Sequence, residues 1–534
     1  MGKRFVDAAA AVFLVVSLAR ASVAAEGQLL WEEGRAMARL VVAEPPGEAA
    51  ALVQRTINGY LREQFGWTLP TVDRADEPGL YVVVGRDPAH PVLARLAREG
   101  MDLKTADLGD EGFRILTHEA GGRRFVVVLA ATPAGMKHGC QELVFFHLAV
   151  TGRRAAVDWP MRLTMRPQLA YRGVYMLPCW SQHDTIASWR RVLEFNSELT
   201  LNRNWFWLNG FPLLPEYGGE YAGTDLANVE NVRGLVELCR REQMKFYLGG
   251  GWFTWHHEKI ANGSIDRGVQ YYLDMVRLLP GAEGIYLEPA GEGSEVSQAV
   301  WQGRTDAFAR LAKTVWKDRP EFEFAVAIGK FNAKEYREAV HAIDQKRLYW
   351  WWCWGDPLVQ GALQEHPLVL RWHTNVRMSD YHGSTQPPEA REAVLSGVAT
   401  SYDPGQGFGN RWNGYGTLGG APRARDFHPH TLPYFAQQYG FRERSWNLAL
   451  TKEDFSRRLA RRLLDADAPG DLIGHYLTLC ELCGKPQQAR EEVLRPIETL
   501  VAAQAGSGTP RHRDTLARMR EAIEGLRKVR GPAK

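Results

Sequence analysis

The stretch GIYLEPAGEGSEV (284–296) begins as a strand and ends as a loop. Ile285, Tyr286 and Leu287 form a β-favouring run; then Glu288, Glu292 and Glu295 fall within eight positions, in a stretch with three glycines. A short apolar run bounded by turn residues predicts a buried strand. The carboxylates that follow are either a solvated turn or a group placed to move a proton. The rest of the chain decides between these.

Seven further runs of the same kind flank this one: RGVYML (172–177), RNWFWL (203–208), MKFYLGG (244–250), FEFAVAI (322–328), RLYWWWC (347–353), LVLRWH (368–373) and GVATSY (397–402). Helical patterns such as TIASWRRVLEF and NVRGLVELCRREQ separate the earlier ones. Eight strand–helix repeats in roughly 230 residues match a (β/α)8 barrel, whose usual size is about 250 residues. The competing doubly wound sheet carries a glycine-rich nucleotide loop after its first strand, and none is found here. The expected fold class is therefore α/β, a TIM barrel preceded by a small α+β domain and followed by a helical domain.

The flanking segments set the boundaries. Residues 1–25 carry Lys3 and Arg4, an apolar run from Ala8 to Leu18 and small residues up to Ala25, the pattern of a signal peptide. The chain is expected to be exported, to the periplasm or outside the cell, with no membrane span. Residues 26–160 alternate helix and strand, as in AALVQRTINGYLREQFG, GLYVVVGRD, RRFVVVLAAT and GMKHGCQELVFFHLAV; Pro160 and Pro167 then mark an extended connector. The barrel takes 161–429. Residues 430–534 are helical throughout, with Thr451 ahead of Glu453 and Asp454 as a helix start.

Composition narrows the chemistry. Among 534 residues, 65 Lys and Arg stand against 62 Asp and Glu, a formal net charge of +3, which makes no electrostatic case for nucleic acid or an anionic membrane. Eighteen tryptophans suit large cores and sugar faces alike. The six cysteines are scattered, and only Cys480 and Cys483 are close; a single C-x-x-C one helical turn apart is better read as packing than as zinc ligation. His256, His257 and Glu258 lack the i, i+4 histidine spacing of a helical metal site. No metal and no organic cofactor is expected.

Barrel enzymes carry their chemistry on the loops after the strands. Three carboxylates stand there: Glu292 after the fourth strand, Asp356 in WWWCWGDP after the sixth and Asp380 in RWHTNVRMSDYHG after the seventh. Each alone reads as a turn or cap residue. Together, at three strand ends of one barrel and without a Ser, Cys or Lys nucleophile near a base, they point to glycosidic cleavage, in which one acid protonates the leaving oxygen and another acts on water or sugar. Alternation along the sixth strand gives Trp352 or Trp354 to the sugar pocket.

At these residues the chain resembles the family-67 glycoside hydrolases, the α-glucuronidases. LEPAGEG is similar to their VKANSEG, whose glutamate is the catalytic acid and matches Glu292. WWCWGDP stands in the place of KNGPID, matching Asp356 to one base-side carboxylate, and MSDYHG in that of TQEYLG, matching Asp380 to the other. LSGVATSY resembles ISGVANIG, and YGFRERSWNLALTKEDF resembles YAFGRLAWNPDLSAEEI. The small domain ahead of the barrel is also similar to that of hexosaminidase-type hydrolases. The lysine that holds the uronate carboxylate is Trp351 here, so Lys330 or Arg377 would have to replace it. The resemblance implies an exo-acting glycosidase removing a terminal uronic acid or related sugar from an oligosaccharide. Glu292 on the fourth strand, across the barrel mouth from Asp356 and Asp380 on the sixth and seventh, leaves room for a water and predicts inversion. The alternatives are a substrate-assisted hexosaminidase, which needs adjacent acids at one strand end, and a non-catalytic sugar-binding barrel.

Overall fold

The computed structural model describes residues 27–168, 172–176, 185–208, 212–218, 222–251, 262–288, 298–328, 348–352, 369–371, 400–402, 432, 434–447, 449–484 and 486–530. By contacts the chain groups into two units, the first comprising 1–166, 456–476 and 492–520, the second 167–455, 477–491 and 521–534.

The first unit contains β1 (Gln28–Glu32), β2 (Arg35–Ala36), β3 (Ala38–Ala43), a helical stretch formed by α1 (Glu48–Gln54), a wider π turn and α2 (Tyr60–Phe65), β4 (Gly79–Gly85), α3 (Pro91–Arg98), β5 (Phe113–Ala120), β6 (Arg123–Ala130), α4 (Pro133–Phe146), β7 (Leu148–Val150), β8 (Arg154–Val157) and β9 (Arg162–Met165). Its larger sheet runs β3-β4-β6-β5-β9, and a smaller one runs β2-β1-β8-β7. The parallel strands β3, β4 and β6 are valine-rich because both of their faces are covered. On one face, Val41, Tyr81, Val83, Phe125 and Val127 pack with Val92, Leu93 and Leu96 of α3. The apolar run expected to continue as helix to residue 150 stops at Phe146, and its tail Leu148–Val150 pairs with β8. The expected connector 160–167 contains β9, antiparallel to β5.

A charged cluster ties residues 456–476 into this unit. Glu142 of α4 is fully buried and accepts two hydrogen bonds from Arg458, at 2.7 and 2.8 Å. His147 lies 3.1 Å from Asp158 and 3.4 Å from Glu142, and Arg461 lies 3.2 Å from Asp158. Burial alone would lower the His147 pKa; the bonds to Asp158 and Glu142 outweigh it and raise it from 6.5 to about 9. A raised folded-state pKa stabilises fully below the unfolded value. The contribution of His147 is therefore complete below pH 6.5 and lost as pH climbs through about 9. Melting temperatures measured from pH 6 to 10 are expected to fall more steeply across this window in the parent than in His147→Gln; parallel curves would remove the histidine from the account.

The second unit is built on β10 (Gly173–Met176), α5 (Ile186–Glu198), β11 (Arg203–Trp207), α6 (Val229–Arg241), β12 (Lys245–Gly251), α7 (Ile265–Leu278), β13 (Gly284–Glu288), α8 (Gln298–Asp318), β14 (Glu323–Ile328), β15 (Leu348–Trp352), β16 (Val369–Arg371) and β17 (Thr400–Tyr402). The helices α9 (Tyr434–Trp446), α10 (Lys452–Leu463), α11 (Leu472–Gly484), α12 (Glu491–Ala503) and α13 (Pro510–Arg530) follow. Each of the eight strands read from the sequence is present, and every described pair between them is parallel. The order is β16-β15-β14-β13-β12-β11-β10-β17, so the last strand lies beside the first. Among the described residues no pairing joins β16 to β17.

The expected helix start at Thr451 is made by its hydroxyl, which accepts from the Asp454 amide at 3.1 Å. Helix α9 is fastened by Trp446, whose indole N–H donates to Thr200 Oγ1 at 2.7 Å. The guanidinium groups of Arg172 and Arg442 lie 5.4 and 5.6 Å from its ring centre. Both arginines are buried; Arg172 donates twice to the Thr200 carbonyl, and Arg442 pairs with Glu443 at 2.6 Å.

Candidate active site

In a parallel sheet, residues in register share a face, and the face alternates along each strand. The row containing Phe206, Phe246 and Phe324 meets helices: Trp189 of α5 packs edge-on to Phe206, and Phe308 and Trp316 of α8 pack edge-on to Phe324. The other face carries Arg203 and Trp205 on β11, Lys245, Tyr247 and Gly249 on β12, Gly284 and Tyr286 on β13, and Glu323 on β14.

Read from the amino to the carboxyl ends of the strands, this face changes character. At the amino end it is charged. Glu323 pairs with Lys245, lies 3.5 Å from Arg203 and accepts a hydrogen bond from the Tyr247 hydroxyl, which itself accepts from Arg203 at 3.0 Å. Gly284 makes the Tyr247 bond possible: a Cβ there would meet the Tyr247 ring and come within 2.8 Å of the Glu323 carbonyl, so only glycine lets the ring cross β13 to reach β14. Burial pushes the Glu323 carboxyl up, but Arg203 and Lys245 outweigh it and hold it low, whereas burial raises its neighbour Glu283. Shifted carboxylates often mark active sites. These stand at the amino ends of the strands, where such groups stabilise the sheet rather than meet substrate.

Above the charged layer come Trp205, Tyr247 and Tyr286, with Gly249 in register with Tyr286. At Gly249 a Cβ would lie 2.7 Å from Tyr286 Cδ1, so a larger residue there would collide with that ring. Gly249 itself adds no side chain to this face. In register with Gly251 stands Glu288, the last residue of β13. The sequence reading passed over it as a site residue. The signal was the two-residue alternation Gly284, Tyr286, Glu288, which ends the strand on an acidic residue.

The expected site residues Glu292, Asp356, Asp380, Trp354, Lys330 and Arg377, like His256–Glu258, lie outside the described residues. Their strand ends are described: Glu292 comes four residues after Glu288, Lys330 two after Ile328, Trp354 and Asp356 two and four after Trp352, and Arg377 and Asp380 six and nine after Arg371. All six follow carboxyl ends of parallel strands, where ligands bind in such sheets. Trp352 closes β15 in register with Ile328, and Trp351 is in register with Ala327.

Among the described residues no group of three His, Cys, Asp or Glu side chains could hold a metal ion, and no helix is long and apolar enough to cross a membrane. Cys480 and Cys483 are buried thiols on α11, and burial raises the Cys483 thiol to about 12.

This is an architecture used by glycoside hydrolases. The chain is similar over 82% of its length to 73% of a family-20 exo-β-N-acetylglucosaminidase from Vibrio harveyi solved with N-acetylglucosamine, at 12% identity and a TM-score of 0.52. It is similar over 92% of its length to 88% of the family-84 protein CpGH84B, at 10% identity and a TM-score of 0.54. A β-N-acetylhexosaminidase from Bacteroides fragilis matches over 82% of this chain and 91% of its own, at 14% identity and a TM-score of 0.50. At such identities the likeness is one of fold. No protein-family model matches the chain, and no curated protein matches it in sequence.

Proposed function

We propose that the chain is an exported glycoside hydrolase that removes a terminal sugar from an oligosaccharide, and that its parallel sheet closes as a (β/α)8 barrel with β16 against β17. The observation that carries this reading is the carboxyl end of β13, where Glu288 ends the strand beside Gly251 and Glu292 follows four residues later. In this reading Glu292 protonates the leaving oxygen, and the sugar ring binds over the carboxyl ends of the strands.

The terminal sugar this reading favours is an N-acetylhexosamine. The fold likeness to N-acetylhexosaminidases supports it, and Glu288 with Glu292 supplies two carboxylates at one strand end, although not adjacent ones. A substrate-assisted route uses the sugar's own acetamido group as nucleophile and retains the anomeric configuration. The second reading, an α-glucuronidase, rests on the motif resemblance around Glu292, Asp356 and Asp380, with Lys330 or Arg377 as the cation for a uronate. Its two aspartates would share a water across the mouth from Glu292 and invert the configuration.

The experiment is a panel of oligosaccharides capped with N-acetylglucosamine, N-acetylgalactosamine or glucuronic acid, with proton NMR of the first-formed sugar. Release of an N-acetylhexosamine with retention is the expected result. Release of glucuronic acid with inversion would transfer the assignment to the second reading, and release from no substrate would end the glycosidase reading. A mature chain beginning near Glu26 is expected on export.

A further inference from the structure

The chain contains four Asn–Gly pairs, at 58–59, 209–210, 262–263 and 413–414. The first and the third fall among the described residues, and the fold treats them in opposite ways. Asn58 is buried in the π turn between α1 and α2. Its side-chain nitrogen donates to Gln54 at 3.1 Å and to the Leu69 carbonyl at 3.0 Å, while its side-chain oxygen accepts from the Leu69 amide at 2.9 Å. Asn262 and Gly263 are exposed, in a turn just ahead of α7, and both take left-handed backbone angles, φ 48° and 70°. Glycine enters that region without a Cβ clash, and asparagine tolerates it better than most residues.

An asparagine followed by glycine is open to attack by its own backbone, because no Cβ shields the next amide nitrogen. The Gly263 nitrogen bonds to Asn262 Cγ, the bond from Cγ to the side-chain nitrogen breaks, and ammonia leaves with the proton displaced from the amide. Water then opens the five-membered imide at either carbonyl and leaves aspartate or isoaspartate. We propose that Asn262 is a site of spontaneous deamidation in the folded protein, and that Asn58, the same dipeptide in sequence, is protected by its burial and its bonds to Leu69. At Asn58 ring closure must first break those bonds, so it requires local opening of the helical stretch. The exposed Asn262 reacts from the native turn. Its product carries a new negative charge two positions before Ser264, whose hydroxyl caps α7 by accepting from the Arg267 amide at 3.2 Å. A carboxylate suits the positive end of a helix, so the fold tolerates the change. The inference is independent of the glycosidase reading.

The test is incubation of the full-length protein at mildly alkaline pH, followed by peptide mapping with mass spectrometry and isoaspartate detection. Conversion at Asn262 is expected to run about tenfold or more ahead of conversion at Asn58, with isoaspartate among the products. In urea, where both pairs are unfolded, the two positions should convert at comparable rates. Asn262→Gln, whose longer side chain would have to close a less favoured six-membered ring, should stay unmodified at that position. An Asn262 that remains intact in the folded protein while the unfolded chain converts there would overturn the inference. Equal rates at Asn58 and Asn262 in the folded protein would overturn it too, since the dipeptide and not the fold would then decide.

Discussion

Replacing Glu292 by glutamine is expected to lower kcat by about 10²–10⁴-fold, the range that a positioned general acid supplies. The residue follows the fourth strand, whose last residue, Glu288, is in register with Gly251. Glutamine keeps the shape and hydrogen-bonding reach of the side chain but has no proton to give the leaving oxygen. The alkaline limb of the pH–rate profile reports that proton, so it should vanish in the variant. A glycoside whose leaving group needs no protonation, such as a dinitrophenyl sugar, should recover much of the lost rate. A variant that retains both its rate and its alkaline limb would move the acid elsewhere, and Glu288, on the same strand end, would be the first residue to examine.

Trp446→Ala is expected to cost about 3–5 kcal/mol, the usual penalty for truncating a buried large aromatic. Here the ring does more than fill space. The buried guanidinium groups of Arg172 and Arg442 both lie within 5.6 Å of its centre, and its N–H bonds Thr200. Removing it takes a cation–π partner from two desolvated charges at once, which places the cost toward the upper end of that range. Trp446→Phe keeps an aromatic face and loses the hydrogen bond, so it should cost clearly less. Urea titration of both variants checks this ordering; Trp446→Ala within about 1 kcal/mol of the parent would mean that the helix is held by other contacts.

The sequence SWNLAL contains the tryptophan but does not say what it does. The same division runs through the whole molecule. The eight strands of the second unit were legible because each is a short apolar run closed by turn residues, and such a run needs no partner to be recognised. Glu288 was legible too, since two-residue alternation is a property of the strand itself. The strands β5 and β9 were harder: FRILTHEA and RLTM mix charged and apolar residues, so hydrophobicity alone does not mark them, and β9 is a strand because β5 lies beside it.

What the amino-acid sequence determined by itself is therefore periodicity: which segments are strands or helices, which side of each is apolar, and which carboxylates follow strand ends. The tertiary structure alone decided the partners. It put Tyr247 across Gly284 onto Glu323, joined Trp446 to Thr200 over 246 positions, fastened Tyr217 to Asp274, and divided the helices after residue 430 between two units. The physical reason is that burial is non-directional. An apolar stripe lowers its free energy against any apolar neighbour, whereas a hydrogen bond or an ion pair requires one geometry, and that geometry exists only once strand register and helix packing have brought distant residues together.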